Sequence, residues 1–253
     1  MRAILFGATG MIGQGVLQEC IESPDVEAIL IVGRSPSGAQ RAPGASERGA
    51  AAKAAGRAGG AEHRAELGAG EHSPKVKELI HQDFFDYTAI EAELDGYDAC
   101  FFCLGVSSAG MGEEQYRKLT YDLTMRAAET LARIRPAMTF CYVSGAGTDS
   151  SEKGRSMWAR VKGKTENDLL KLPFARAFMF RPGYVQPGKG VRSKTGLYQF
   201  FYTLLGPLYP LWRVLAPGLV TTTANVGRAM IRAARDGYDK RVLEVRDINA
   251  LAS

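Results

Sequence analysis

Histidine is almost missing: the 253-residue chain has three, and two of them, His63 and His72, fall in a stretch dominated by alanine and glycine. Catalysis built on a histidine base or a Ser-His-Asp triad is nearly excluded on that ground. Cysteine is scarce too. Cys20, Cys100, Cys103 and Cys141 sit in or beside apolar runs, and the Cys100 and Cys103 pair lacks the second pair or nearby histidine of a zinc ligand set. In a strand these two side chains point to opposite faces, so the four read as core thiols. Nothing at the N-terminus resembles a signal peptide, which with these thiols sets the expectation of a reducing, cytoplasmic location. Basic residues do not alternate with aromatics, and no nucleic-acid-binding signature is present. The +5 net charge, 32 basic residues against 27 acidic, suits an anionic small molecule instead. The uninterrupted apolar run of a membrane span is lacking as well. The leucine- and aromatic-rich stretch from Leu197 to Val220 is broken by Pro207, Pro210, Pro217 and Arg213. It leaves open a helical cover over an apolar or aromatic substrate, a homodimer face and peripheral membrane contact.

What the chain does contain is alternation. Arg2 to Phe6 is an apolar run stopped by glycine, and Ile12, Val16, Cys20 and Ile21 then fall at helical spacing. Val26 to Val32 completes a βαβ unit. Runs through Val76 and Ile80, from Tyr97 to Leu104, from Thr139 to Val143 and from Phe174 to Phe180 read as further strands. Helices are expected over Glu113 to Ile134, around Trp158 and Lys162, and over Thr223 to Arg235, with a last strand over Arg241 to Ile248. This order describes an α/β fold of Rossmann type: a doubly wound parallel sheet with helices on both faces and a small C-terminal helical region on the substrate side. The length suits one domain over residues 1–253. Between 38 and 72, 20 of 35 residues are Ala or Gly, so that segment reads as a flexible surface insertion. Residues 190–222 form the aromatic substrate-side or interface segment.

Gly7-Ala8-Thr9-Gly10-Met11-Ile12-Gly13 places glycines at G-x-x-G-x-x-G spacing on the first strand-to-helix turn. The first glycine permits the sharp turn, the second lets the backbone approach a pyrophosphate, and the third lets helix and strand pack closely. The free amides and positive dipole end of the helix then face the phosphates. A dinucleotide is the expected ligand. Roughly twenty residues on, where an acid would bond the adenosine 2′-hydroxyl, the chain reads Val32-Gly33-Arg34-Ser35. Arg34 can pair with a 2′-phosphate and Ser35 can donate a hydroxyl, so NADP(H) is preferred over NAD(H).

These features, with the segment around Asp83, the Cys103-Leu104-Gly105 strand end, Val143-Ser144-Gly145, Trp158-x-x-x-Lys162 and Arg181-Pro182-Gly183-Tyr184-Val185, resemble the short-chain dehydrogenase/reductase superfamily. The likeness is to its atypical or extended branch of NAD(P)-dependent epimerase/dehydratase-like proteins. The resemblance implies that Asp83 accepts from the adenine amino group, that Leu104 and Gly105 lie along the cofactor, and that Pro182, Tyr184 and Val185 border the nicotinamide. It implies Ser144 as the serine that polarises a carbonyl, and Lys162 as the lysine that holds the ribose and lowers a tyrosine pKa. The tyrosine itself is missing: position 158 is tryptophan, whose indole N–H cannot exchange a proton in the useful range. Tyr184, Tyr198 or Ser156 stands as a substitute hydroxyl, or the reaction needs no strong acid, or the cofactor is bound without turnover. An oxidoreductase or epimerase/dehydratase-like enzyme acting on a small molecule is the leading expectation. A redox-inactive NADP(H)-binding regulatory or scaffold protein is the alternative. Asp122 and Asp149 read as ordinary helix and turn acids before bases, and Glu113 and Glu114 as first-turn helix acids.

Overall fold

A computed structural model describes residues 1–37, 73–188 and 218–253. The expected insertion at 38–72, with His63 and His72, lies outside the described residues, as does the aromatic stretch from 197 to 217, with Tyr198.

The order of elements follows the alternation in the sequence. Strand β1 (Arg2–Phe6), helix α1 (Met11–Glu22), β2 (Ala28–Gly33) and β3 (Val76–Ile80) are followed by the short helix α2 (Glu91–Leu94) and β4 (Ala99–Phe102). Then come α3 (Glu113–Arg117), α4 (Leu123–Ile134), β5 (Thr139–Val143), α5 (Met157–Leu169) and β6 (Arg176–Arg181). Strands β7 (Tyr184–Gln186) and β8 (Val220–Thr222), helix α6 (Thr223–Asp236), β9 (Val242–Glu244) and α7 (Val245–Ala252) complete the described chain.

Seven strands form one parallel sheet in the order β3-β2-β1-β4-β5-β6-β9. Side chains alternate across it. Leu5, Phe101, Cys141 and Phe178 face Val16 of α1, Met230 of α6 and Ile248 of α7, while Phe6, Phe102, Phe140 and Met179 face Leu131 of α4 and Leu169 of α5. Both faces are covered, which is why the strands read in the sequence as nearly unbroken apolar runs. Cys100 and Cys103 fall on opposite faces as the strand period requires, and burial pushes the Cys20 thiol up to about 12. Strand order reverses between β1 and β4, where Phe6 pairs with Val32 on one side and Phe102 on the other. The carboxyl ends of these three strands meet there, at the crevice where open α/β sheets bind ligands.

Two glycines bring α1 and α6 together. A Cβ on Gly15 would lie 2.3 Å from the Cβ of Thr223, and one on Gly227 would lie 2.8 Å from Cγ of Glu19. Helix α6 begins as expected, with Thr222 Oγ1 accepting from the Asn225 N–H at 2.9 Å. The expected helix over Glu113 to Ile134 is continuous but holds a π-helical turn at Lys118–Asp122 between α3 and α4.

The expected strand over Arg241 to Ile248 is corrected. Strand β9 ends at Glu244, which instead starts α7 through a reciprocal cap with Asp247, the Glu244 N–H donating to Asp247 Oδ2 at 3.1 Å. Val245, Ile248 and Ala252 are buried at helical spacing. The end of the 190–222 segment is likewise a strand, since β8 pairs in parallel with β7, Tyr184 opposite Val220.

Candidate functional site

The turn after β1 is shaped by close approach. Gly7 has φ +81°, and a Cβ there would lie 2.7 Å from the carbonyl carbon of Cys103. A Cβ on Gly13 would stand 2.1 Å from the carbonyl oxygen of Gly7. Both positions therefore admit glycine alone, the first by conformation and space, the second by space. Gly10 is exposed; its N–H donates to Gly7 O at 2.9 Å and its own carbonyl accepts from Gln14 N at 2.8 Å. Gln14 Nε2 donates to Thr9 O at 3.0 Å, tying the loop to the helix. Met11 and Ile12 are half-buried in the first turn. No side chain caps α1 and no acid lies in its first turn, so its N-terminal amides face outward with an uncompensated dipole. Such a cradle fits the pyrophosphate of a dinucleotide.

Beside the turn lies a cleft of about 180 Å³ lined by Gly7, Thr9, Arg34, Ser35, Phe84 and Leu104 among others. Arg34 is exposed, its guanidinium 5.9 Å from the centre of the Phe84 ring, and no carboxylate pairs with it among the described residues. Its carbonyl accepts from Gln82 Nε2 at 2.8 Å, which fixes the strand end. Ser35 is exposed beside it. Asp83 is exposed as well, with Oδ1 accepting from the Phe85 N–H at 2.9 Å. Leu104 is half-buried, and Gly105 is exposed with open space where a Cβ would stand. Sequence reasoning missed Phe84, whose buried ring forms the wall under Arg34; its place one residue after Asp83 was the available signal.

At the carboxyl end of β5, Lys162 of α5 donates to the main-chain oxygen of Ser144. Burial brings the Lys162 ammonium down to about 8, with the Glu166 charge opposing the shift. The Ser144 hydroxyl turns inward, donating to Glu166 Oε1 at 2.5 Å with Phe180 O at 3.1 Å. Arg181 closes the network: Nε lies 3.0 Å from Glu166 Oε1, a terminal nitrogen pairs with Oε2, and the other reaches Glu244 Oε1 at 3.2 Å. These hydrogen bonds and the surrounding carboxylates raise the Arg181 pKa above its ordinary value. Glu166, only 1% exposed, was absent from the sequence reading. It stands four residues after Lys162, a buried acid on the same helix face, and that spacing was the signal.

Trp158 lies over the loop that follows β5: a Cβ on Gly147, which has φ +85°, would meet the indole at 3.5 Å. The same loop docks on α5 so closely that a Cβ on Gly163 would lie 1.8 Å from Asp149 O. Asp149 is a turn acid, accepting from the Ser151 and Gly154 N–H groups at 3.0 and 2.6 Å. Pro182 is buried with its carbonyl accepting from Ala146 N at 2.9 Å, and Val185 is buried in β7. Tyr184 Oη donates to Gln186 Oε1 at 3.0 Å. Ser156, the alternative hydroxyl, is exposed at the start of α5 without capping it. The structure thus forms two groups at one sheet edge: the glycine turn with Arg34, Ser35 and Leu104, and Ser144 with Lys162.

No family model matches the chain. It is 26% identical over 234 residues to the mitochondrial protein fmp52 of Emericella nidulans, covering 90% of this chain and 85% of that protein. It is 27% identical over 162 residues to the protein HTATIP2 of Rattus norvegicus, covering 60% of this chain and 61% of that one. The expected cytoplasmic location is overturned by these relatives, since the FMP52 proteins of Scheffersomyces stipitis, Debaryomyces hansenii and Meyerozyma guilliermondii are also named mitochondrial. Buried thiols are shielded by packing in any compartment, so they carried less information than was read from them. Among solved structures, the dTDP-glucose 4,6-dehydratase DesIV of Streptomyces venezuelae, with NAD bound, superposes with a TM-score of 0.62 at 14% identity, over 100% of this chain and 80% of that one. A short-chain dehydrogenase/reductase of Saccharomyces cerevisiae gives a TM-score of 0.59 at 14% identity, over 99% and 98% of the two chains. By sequence the chain is similar to FMP52 and HTATIP2 proteins, and its fold is the Rossmann-type fold of these dehydratase and short-chain dehydrogenase/reductase structures.

Proposed function

We propose that the chain is an NADP(H)-dependent oxidoreductase or epimerase/dehydratase-like enzyme with an altered proton-transfer site. The observation that carries the cofactor half is the union of an uncapped α1 N-terminus with the Arg34 guanidinium, free of any carboxylate partner among the described residues, on one cleft. The turn of residues 7–13 holds the pyrophosphate, Arg34 and Ser35 hold the 2′-phosphate, and Asp83 and Leu104 border the adenosine. Bound nicotinamide supplies or accepts hydride. Lys162 holds the ribose, and Pro182, Tyr184 and Val185 border the ring. The substrate is a small molecule, apolar or aromatic.

Titration with NADPH and NADH tests the cofactor reading. NADPH binds more tightly to the parent chain, and Arg34→Asp weakens it roughly 100-fold, because a charge-assisted contact becomes a repulsion. Unchanged affinity in the variant removes the reading. A carbonyl panel with NADPH then tests turnover. A second reading is favoured by Trp158, which puts a donor that does not titrate in the useful range where the superfamily has tyrosine: the chain binds NADP(H) as a regulatory or scaffold protein. NADPH binding without oxidation by any panel compound selects it.

A further inference from the structure

Trp158, Lys162 and Glu166 follow one another at four-residue spacing on α5 and so share one helix face. The indole brings no titrating group to that face. Lys162 spends one N–H on Ser144 O and has no other hydrogen bond among the described residues, which leaves one ammonium proton for the ribose and one for a substrate oxygen. The Ser144 hydroxyl, which by the resemblance would polarise a carbonyl, is spent on Glu166 instead, and Ser144 is 6% exposed. Of the groups packed around the lysine, Glu166 acts on it directly and Arg181 faces Glu166 from β6. Tyr142 of β5 is fully buried with its phenol pushed far up by desolvation, and Asp149 is turned into its own loop. Among these described groups at the end of β5 and on the face of α5, Lys162 is the one with a proton to give.

Resting on the reading of the chain as an NADP(H)-dependent enzyme, we propose that Lys162 itself gives and takes the proton at the substrate oxygen, with Ser144 and Glu166 as its positioning residues. When a carbonyl carbon gains hydride from reduced nicotinamide, its π pair moves to oxygen and the new C–H bond forms. The oxygen then takes a proton from Nζ of Lys162, breaking an N–H bond and leaving a neutral amine that water re-protonates. In the oxidative direction the neutral amine removes the alcohol proton. The Ser144 carbonyl fixes the Nζ position, and Ser144 Oγ and Arg181 lock the carboxylate that biases it. An amine brought down to about 8 by burial is suited to both directions at neutral pH.

Competitive labelling of the apo-protein with trace acetic anhydride, from neutral to strongly alkaline pH, reads the Lys162 titration directly by peptide mass spectrometry. The expected midpoint is about 8, and Glu166→Gln moves it lower because a charge favouring the ammonium is gone. A midpoint in the ordinary lysine range overturns the proposal. Should Glu166→Gln not fold, Lys162→Arg serves, since it keeps the charge and the donors but does not release a proton. Lys162→Arg is expected to bind NADPH within a few-fold of the parent and to lose roughly 100-fold or more in kcat on any panel carbonyl the parent reduces. Normal turnover in that variant sinks the lysine assignment alone. Failure of the parent to bind NADPH instead sinks the cofactor reading, and binding without any oxidation sinks the enzyme reading and the catalytic lysine together.

Discussion

Ser144 has one hydroxyl proton, and it goes to a buried carboxylate. Ser144→Ala therefore leaves Glu166 short of a donor in a place water does not reach, a deficit of about 1–3 kcal/mol. Urea denaturation should show that loss, and a variant as stable as the parent would mean the hydroxyl is not held this way. Gly13 makes a sharper case. A single methyl at this position meets the Gly7 carbonyl at 2.1 Å, so Gly13→Ala must push the turn away from α1. The expected result is loss of NADPH binding in a folded protein, checked by fluorescence titration beside circular dichroism. Both glycine roles were legible from spacing alone, because sterics at a strand-to-helix turn leave few solutions. The direction of the Ser144 side chain was not legible, since it depends on Glu166 and Arg181, which approach from two other elements.

Helix α7 shows how a short element hides in sequence. Val242, Leu243 and Val245 are β-compatible, and the alternation around Glu244 continues the strand pattern. What ends the strand is the reciprocal cap between Glu244 and Asp247, with glutamate at a position where serine, threonine, aspartate or asparagine is the usual signal. Asp247 also pairs with Lys240 at 2.6 Å. Asp247→Ala should lower stability by about 0.5–2 kcal/mol through the lost cap. Thermal melting checks it, and the unchanged parent value would show that packing of Ile248 alone holds α7 in place. The π turn at Lys118–Asp122 was equally hidden, because one extra residue in a helix leaves no mark on composition. The long strands were plain because both of their faces are buried.

Across the whole molecule, Lys162 ties stability to pH. Its pKa is about 8 in the fold against 10.5 for an ordinary lysine, so between those values the unfolded chain binds the proton and the native chain does not. Stability from this group therefore rises as pH climbs through that window, and the burial penalty is present in full below it. Comparing the parent with Lys162→Met by urea denaturation cancels the other titrating groups. The parent should gain on the variant from about pH 8 to 10.5, and parallel curves would show a solvated ammonium. At this scale the sequence revealed the strands of the sheet and the glycine turn after β1, because each of these is a contiguous segment. The Lys162, Ser144, Glu166 and Arg181 cluster draws on the successive elements β5, α5 and β6, and the resemblance pointed to Ser144, Lys162 and Arg181 but not to the buried Glu166 that joins them.

The parallel pair of β7 and β8 has a consequence of its own. Tyr184 to Gln186 lie beside Val220 to Thr222, and Thr221 and Asn249 anchor the second strand through a 2.7 Å hydrogen bond. Because the pair is parallel, its two ends differ: the Gly188 N–H donates to Thr223 Oγ1 at 3.0 Å at one end, while a Cβ on Gly183 would meet Leu219 O at 2.5 Å at the other. A parallel pair cannot be closed by a two-residue hairpin, so these two short strands are brought together by the body of the fold, through anchors such as Thr221 on Asn249 and Gly188 on Thr223.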